Sequence, residues 1–163
     1  MADSLSLEPA DAADFEALVA LRIAAMRDSL ERVGRFDPAR ARERFREGFS
    51  PAHTQHIVQH GQRVGFVVIK PLESPEEPQE KGLLLDHLYI HPDYQNQGLG
   101  SRVMAWVFHV AESVQLPLRV GALRGSDANR FYLRHGFTLV EEAPWDNYYV
   151  RSPGMPSPQE HAP

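Results

Sequence analysis

The chain has no cysteine, so disulfides, a thiol nucleophile and thiolate metal sites are excluded. It also lacks any apolar run near the roughly 18 residues that cross a bilayer. Its start, Met1-Ala2-Asp3-Ser4, has neither the basic nor the apolar region of a signal peptide. A soluble, cytoplasmic protein with no membrane partner is the expectation. Positive charge is scarce too: 17 Lys and Arg stand against 22 Asp and Glu, a formal net charge of −5. With its arginines scattered and no basic face, nucleic acid is not an expected partner. Internal repeats are absent.

What remains suits one domain. A chain of 163 residues buries about 70% of the surface that its unfolded form exposes. Residues 1–151 read as that domain, and the tail from Ser152, with four prolines, reads as disordered. Ser4–Leu7 alternates like a short strand. Asp11 is a candidate N-cap with Asp14 at N3, and the helix after it carries Phe15, Leu18, Leu21, Ala25 and Met26 on one side until Gly34. Pro38 opens a second helix through about Gly48, whose Arg40, Arg42, Arg44 and Arg46 fall on several faces and suit a solvated surface. A rim that attracts an acidic substrate is the other reading. His53–His60 and Arg63–Lys70 read as strands joined by a Gly61-Gln62 turn. The proline-rich, acidic stretch Pro71–Glu80 reads as a solvated connection. Further on come a strand at 83–90, a helix at 98–114, a strand at 116–122 and a short helix at 128–135 with Asp127 as candidate N-cap. Gly136 closes that helix, and strands follow at 137–141 and 147–151.

The most informative segment is Gln95-Asn96-Gln97-Gly98-Leu99-Gly100-Ser101, between the strand at 83–90 and the helix at 98–114. The first N–H groups of a helix lack intrahelical acceptors and carry the positive end of its dipole, which favours phosphate. Gly98 and Gly100 have no Cβ to hold an anion off the backbone. A P-loop would need a Gly-Lys-Ser/Thr run, but Ser101 follows Gly100 directly, with no lysine between them. A dinucleotide fingerprint would need a third small residue where Val103 stands, and an acidic residue about 20 positions onward. A phosphate-bearing ligand of another kind is therefore expected.

Three segments resemble the GCN5-related N-acetyltransferase (GNAT) superfamily. Its acetyl-CoA turn reads Gln/Arg-x-x-Gly-x-Gly/Ala, which Gln95–Gly100 matches. Leu88-Tyr89-Ile90-His91-Pro92-Asp93-Tyr94 is similar to its preceding strand end, and Ala128-Asn129-Arg130-Phe131-Tyr132-Leu133-Arg134-His135-Gly136-Phe137 to its Ala-x-x-Phe-Tyr-x-x-x-Gly-Phe segment. The resemblance implies a mixed, mostly antiparallel sheet of six or seven strands with a central parallel pair, flanked by about four helices. It implies acetyl-CoA as co-substrate, with its pyrophosphate on the turn formed by Gln95, Asn96, Gln97, Gly98, Leu99, Gly100 and Ser101. The pantetheine arm is expected along Leu88, Tyr89 and Ile90, in a gap between this strand and the next, with the Ile90 N–H or its neighbour stabilising an oxyanion. No metal is expected.

In that family the phenol at the position of Tyr132 protonates the departing thiolate; the other reading is a core tyrosine beside Phe131. A base for the acceptor amine is expected at Asp86, or a water chain in its place. The alternatives are a carboxylate hydrogen-bonded in the sheet at Asp86, or His87, on the opposite strand face, as the base. Many relatives carry asparagine seven residues before the tyrosine, where Gly125 stands, and Asn129 is the candidate contact nearby. Some peptide-modifying relatives carry a glutamate base where this chain has Val120. His53 and His56 would point to opposite faces of a strand, which scatters the ligands, so His53, His56 and His60 read as strand histidines rather than a metal site. Trp145, Tyr148 and Tyr149 either wall an acceptor pocket or pack in the core. Without cysteine an acyl-cysteine relay is excluded, so transfer is expected to be direct, to a primary amine of a small molecule. Protein or peptide amines are the second reading, and a non-catalytic acyl-CoA-binding module is the rival from another class. The sequence fixes no oligomeric state; a homodimer is one option.

Overall fold

The computed structural model describes residues 4–73 and 81–154. Its main elements are β1 (Leu5–Pro9), α1 (Phe15–Arg32), α2 (Pro38–Gly48), β2 (Thr54–Gln59), β3 (Gln62–Glu73) and β4 (Lys81–Ile90), then α3 (Leu99–Val114), β5 (Leu118–Leu123), α4 (Ala128–Arg134), β6 (Thr138–Glu142) and β7 (Asp146–Arg151). The strands pair in the order β1-β2-β3-β4-β5-β7-β6. β4 and β5, joined in sequence by α3, run parallel, Leu83–Leu85 opposite Leu118–Val120. β1–β2, β2–β3, β5–β7 and β6–β7 are antiparallel. This is the mixed sheet that the resemblance implied. The chain forms two compact units, one running to Ile69 and including His87–Ala105, the other made of Lys70–Asp86 with Trp106 onward.

In the first unit Asp11 and Asp14 form a capping box. Asp11 accepts the Ala13 N–H at 2.9 Å, and Asp14 accepts the Asp11 N–H at 3.0 Å. The 3-10 turn so opened runs into α1. Asp37 caps α2 by accepting the Arg40 N–H, and Pro38 takes N1, where no N–H is needed. Leu18, Val19 and Phe45 bury against Phe66 and Val68 of β3. The hairpin turn differs from expectation. His60 and Gly61 occupy it, both left-handed at φ +51° and +77°, because such a pair matches the twist of the flanking strands; Gln62 already pairs with Gln59.

In the second unit, Pro71–Glu73 continue β3 instead of starting a loop; the remainder of that stretch, 74–80, lies outside the described residues. α4 ends in a complete Schellman motif. The Phe137 N–H donates to Tyr132 O and the Gly136 N–H to Leu133 O, with Gly136 at φ +87° and the Tyr132 and Phe137 rings 5.4 Å apart. Asp127 does not cap this helix: its backbone is helical, and its carboxylate accepts from Arg130 at 3.0 Å instead. Of the tail, Gly154 donates its N–H to Glu112, and 155–163 lie outside the described residues.

Candidate active site

After β4 the chain turns through a short 3-10 segment, Pro92–Tyr94, with His91 Nδ1 accepting the Asp93 N–H. Gln95 Nε2 then donates to Ile90 O at 2.8 Å, tying the turn to the end of β4. Asn96 and Gly98 take left-handed backbone, φ +64° and +78°. The Arg102 N–H donates to Gly98 O, the first bond of α3. The amides ahead of it therefore point out along the axis of a 16-residue helix. A Cβ at Gly98 would meet nothing within 4 Å. Open space above an exposed helix N-terminus fits a phosphate group.

The end of β4 is held closely by β3. The His91 N–H donates to Val64 O at 2.8 Å. A Cβ on Gly65 would lie 2.3 Å from Tyr89 O and 3.0 Å from Ile90 Cδ1, so only glycine allows this approach of backbone to backbone. An isolated glycine inside Arg63–Lys70 is a sequence signal of such a contact, and it escaped the sequence reading. The Tyr89 hydroxyl donates to Met26 Sδ at 3.1 Å, and His87 packs among Phe45, Phe66 and Tyr89.

Asp86 and Lys70, both in the second unit, form an ion pair at 2.9 Å, the carboxylate 28% exposed. Tyr132 is 6% exposed, its ring against Phe131, Phe137 and Tyr149. Asn129, a candidate cofactor contact, has its side chain fully used by the protein. Its Nδ2 donates to Leu123 O and Ser126 O, and its Oδ1 accepts from Asn147 Nδ2 and the Tyr149 hydroxyl. These four bonds fill the amide's capacity and leave none for a ligand. Tyr149 is thus a buried brace, whereas Trp145 and Tyr148 are half exposed. Gly125, where many relatives have asparagine, turns the chain at φ +83°. Burial keeps the His135 imidazole below the ordinary histidine range, with Arg134 and Arg151 adding to the shift.

The three early histidines are separately engaged. His53 lies in a 3-10 turn before β2 and bonds Ser50 Oγ at 2.7 Å, and His60, in the hairpin turn, bonds Ser4 Oγ at 2.7 Å. Only His56 sits on the strand, buried, with Nε2 2.9 Å from Asp14 Oδ2. That hydrogen bond, with the Asp11 N–H, holds the Asp14 carboxyl down at about 2. Among the described residues no group of three or more His, Cys, Asp or Glu is arranged to hold a metal ion. Among the same residues no helix is long and apolar enough to cross a membrane.

A parallel strand pair joined by a helix with a glycine-led N-terminus is an α/β arrangement suited to phosphate-bearing ligands. The particular family follows from comparison with known proteins. The profile of the acetyltransferase (GNAT) domain matches residues 52–139, more than half of the chain. The chain belongs to this family and uses acetyl-CoA as co-substrate. Several solved structures share its fold. PaiA N-acetyltransferase from Thermoplasma acidophilum, in complex with coenzyme A, aligns with a TM-score of 0.71 at 14% identity, over 92% of this chain and 99% of that one. An acetyltransferase from Thermus thermophilus aligns at 0.69 and 20%, over 93% and 98%. A GCN5-related N-acetyltransferase from Rhodopseudomonas palustris gives 0.70 and 18%, over 93% and 98%. No curated protein matches the sequence.

Proposed function

We propose that this acetyltransferase acts on the primary amine of a small molecule, by direct transfer from acetyl-CoA. The observation that carries the choice of acceptor is Val120, 2% exposed in β5, where some peptide-modifying relatives place a glutamate base. Bound acetyl-CoA supplies an activated acyl carbon and a thiolate leaving group. The amides at the start of α3, opened by Gly98, bind the pyrophosphate, with Gln95 holding the turn against β4. Since the His91 N–H is committed to Val64 O, alternation along β4 turns the Ile90 N–H to the opposite strand edge. There it pairs with the pantetheine arm or polarises the acyl carbonyl.

As the new C–N bond forms and the C–S bond breaks, Tyr132 gives its phenol proton to the departing sulfur. The amine must shed a proton in the same event. Asp86 is held in an ion pair with Lys70, so the amine's proton passes to solvent through a water that the Asp86 carboxylate orients. In a thiol-release assay comparing simple primary amines with lysine-containing peptides, the best small amine should exceed every peptide by about tenfold or more in kcat/KM, some 1.4 kcal/mol. Peptides exceeding all small amines would overturn the reading.

A further inference from the structure

One charged side chain of the first unit stands on the wrong face of its helix. Arg22 follows Leu18, which is 1% exposed, by one turn of α1 and precedes Met26, which accepts from the Tyr89 hydroxyl, by another. It therefore lies in the core-facing stripe, where arginine is rarely enclosed without a partner. Among the described residues, Arg22 Nη1 reaches only Ala41 O of α2, at 3.3 Å. Its Nε is enclosed and has no hydrogen-bond partner, and no carboxylate among the described residues pairs with it. Exposed arginines nearby are better served: Arg27 pairs with Glu31 at 2.7 Å, and Arg42 with Glu16. An enclosed cationic N–H without an acceptor is costly, and the position therefore suits an anion.

The place of Arg22 indicates which anion. Ala41 precedes Phe45 by one turn of α2, and Phe45 meets the His87 ring at 5.3 Å. Arg22 thus precedes the Met26–Tyr89 contact by one turn of α1, about 5.4 Å of rise, and its bond to Ala41 O reaches α2 one turn before Phe45, which meets His87. The side chains that make those two contacts, Met26, Tyr89, Phe45 and His87, include no carboxylate. The Nε edge of a guanidinium presents two parallel N–H donors matched to a planar carboxylate.

We infer that Arg22 binds a carboxylate of the acceptor, so that the acceptor is an amine of amino-acid type. This rests on the amine-acetyltransferase reading above and extends it. The probes are free L-amino acids and their C-terminal amides, assayed by thiol release with wild type, Arg22→Met and Arg22→Lys. Wild type should prefer the best acid over its amide by about tenfold or more in kcat/KM, Arg22→Met should bring that ratio near unity, and Arg22→Lys should keep part of it. Acetyl-CoA affinity by calorimetry shows that each variant is folded. Equal use of acids and amides by wild type, an unchanged ratio in Arg22→Met, or a preference for phosphoethanolamine over every acid would overturn the inference. If no amine releases thiol, the amine-transfer reading fails, and the inference is judged by titrating the amino acids into CoA-saturated protein. Binding that Arg22→Met abolishes sustains it, and absence of binding overturns it.

Discussion

Tyr132→Phe is expected to slow amine-dependent thiol release by about 10²–10³-fold, in the range of a lost general acid, while acetyl-CoA affinity changes by less than about threefold. The substitution is clean because the ring is already packed by Phe131, Phe137 and Tyr149 and is 6% exposed. The Schellman motif that ends α4 uses only the backbone of Tyr132 and the apolar contact of its ring with Phe137. Phenylalanine keeps both, so the loss isolates the hydroxyl. Phenol and thiol have reference pKa values of about 10 and 8.5, so proton donation to the sulfur is not strongly downhill. Its benefit comes from a donor held in place, which the capped helix supplies. A fall in kcat with unchanged acetyl-CoA binding by calorimetry is the expected split. Unchanged turnover would remove Tyr132 as the acid.

Gly65→Ala is expected to be the second large effect. Its new Cβ would sit 2.3 Å from Tyr89 O, with Ile90 and Ile57 side-chain atoms at 3.0 and 3.2 Å. A backbone oxygen in a strand has nowhere to swing, so β3 and β4 must part. Overpacking of this kind typically costs about 1–3 kcal/mol, or about 2–4 °C in Tm for each kcal/mol in a chain of this size. The displaced segment is Tyr89–Ile90, assigned to the acyl arm, and a misplacement of about 1 Å can cost some 10²-fold in rate. The variant should therefore melt lower and lose kcat/KM for acetyl-CoA by more than its stability loss accounts for. A melting temperature and kcat/KM equal to wild type would show that the strand absorbs the methyl group without moving.

Much of this was legible in the sequence because local chemistry decided it. Asp11 with Asp14, Pro38, Gly98 and Gly136 each mark an element end by a backbone requirement that few other residues meet, and the structure puts those ends there. The hairpin was misplaced by one residue because His60, not an obvious left-handed residue, accompanies Gly61. Asp127 looked like a cap, but a short helix whose preceding residues already turn leaves it helical, with Arg130 as partner. The tertiary partners were out of reach. Nothing in the order of residues pairs Lys70 with Asp86 across two strands, or gathers Leu123, Ser126, Asn147 and Tyr149 around Asn129. Arg22 was not singled out in the sequence, because its place among the apolar residues of α1 gains meaning only from the enclosure of its Nε.

If the turn at Gln95–Ser101 binds the pyrophosphate of acetyl-CoA, removing the phosphates must weaken binding. Titrating acetyl-CoA and S-acetylpantetheine into the same protein by calorimetry tests it, because the two share the acyl arm and differ in the phosphates. Saturable binding of acetyl-CoA is expected, with an affinity for S-acetylpantetheine weaker by about tenfold or more, as charge-assisted hydrogen bonds to the helix N-terminus require. Equal affinity for the two would contradict it.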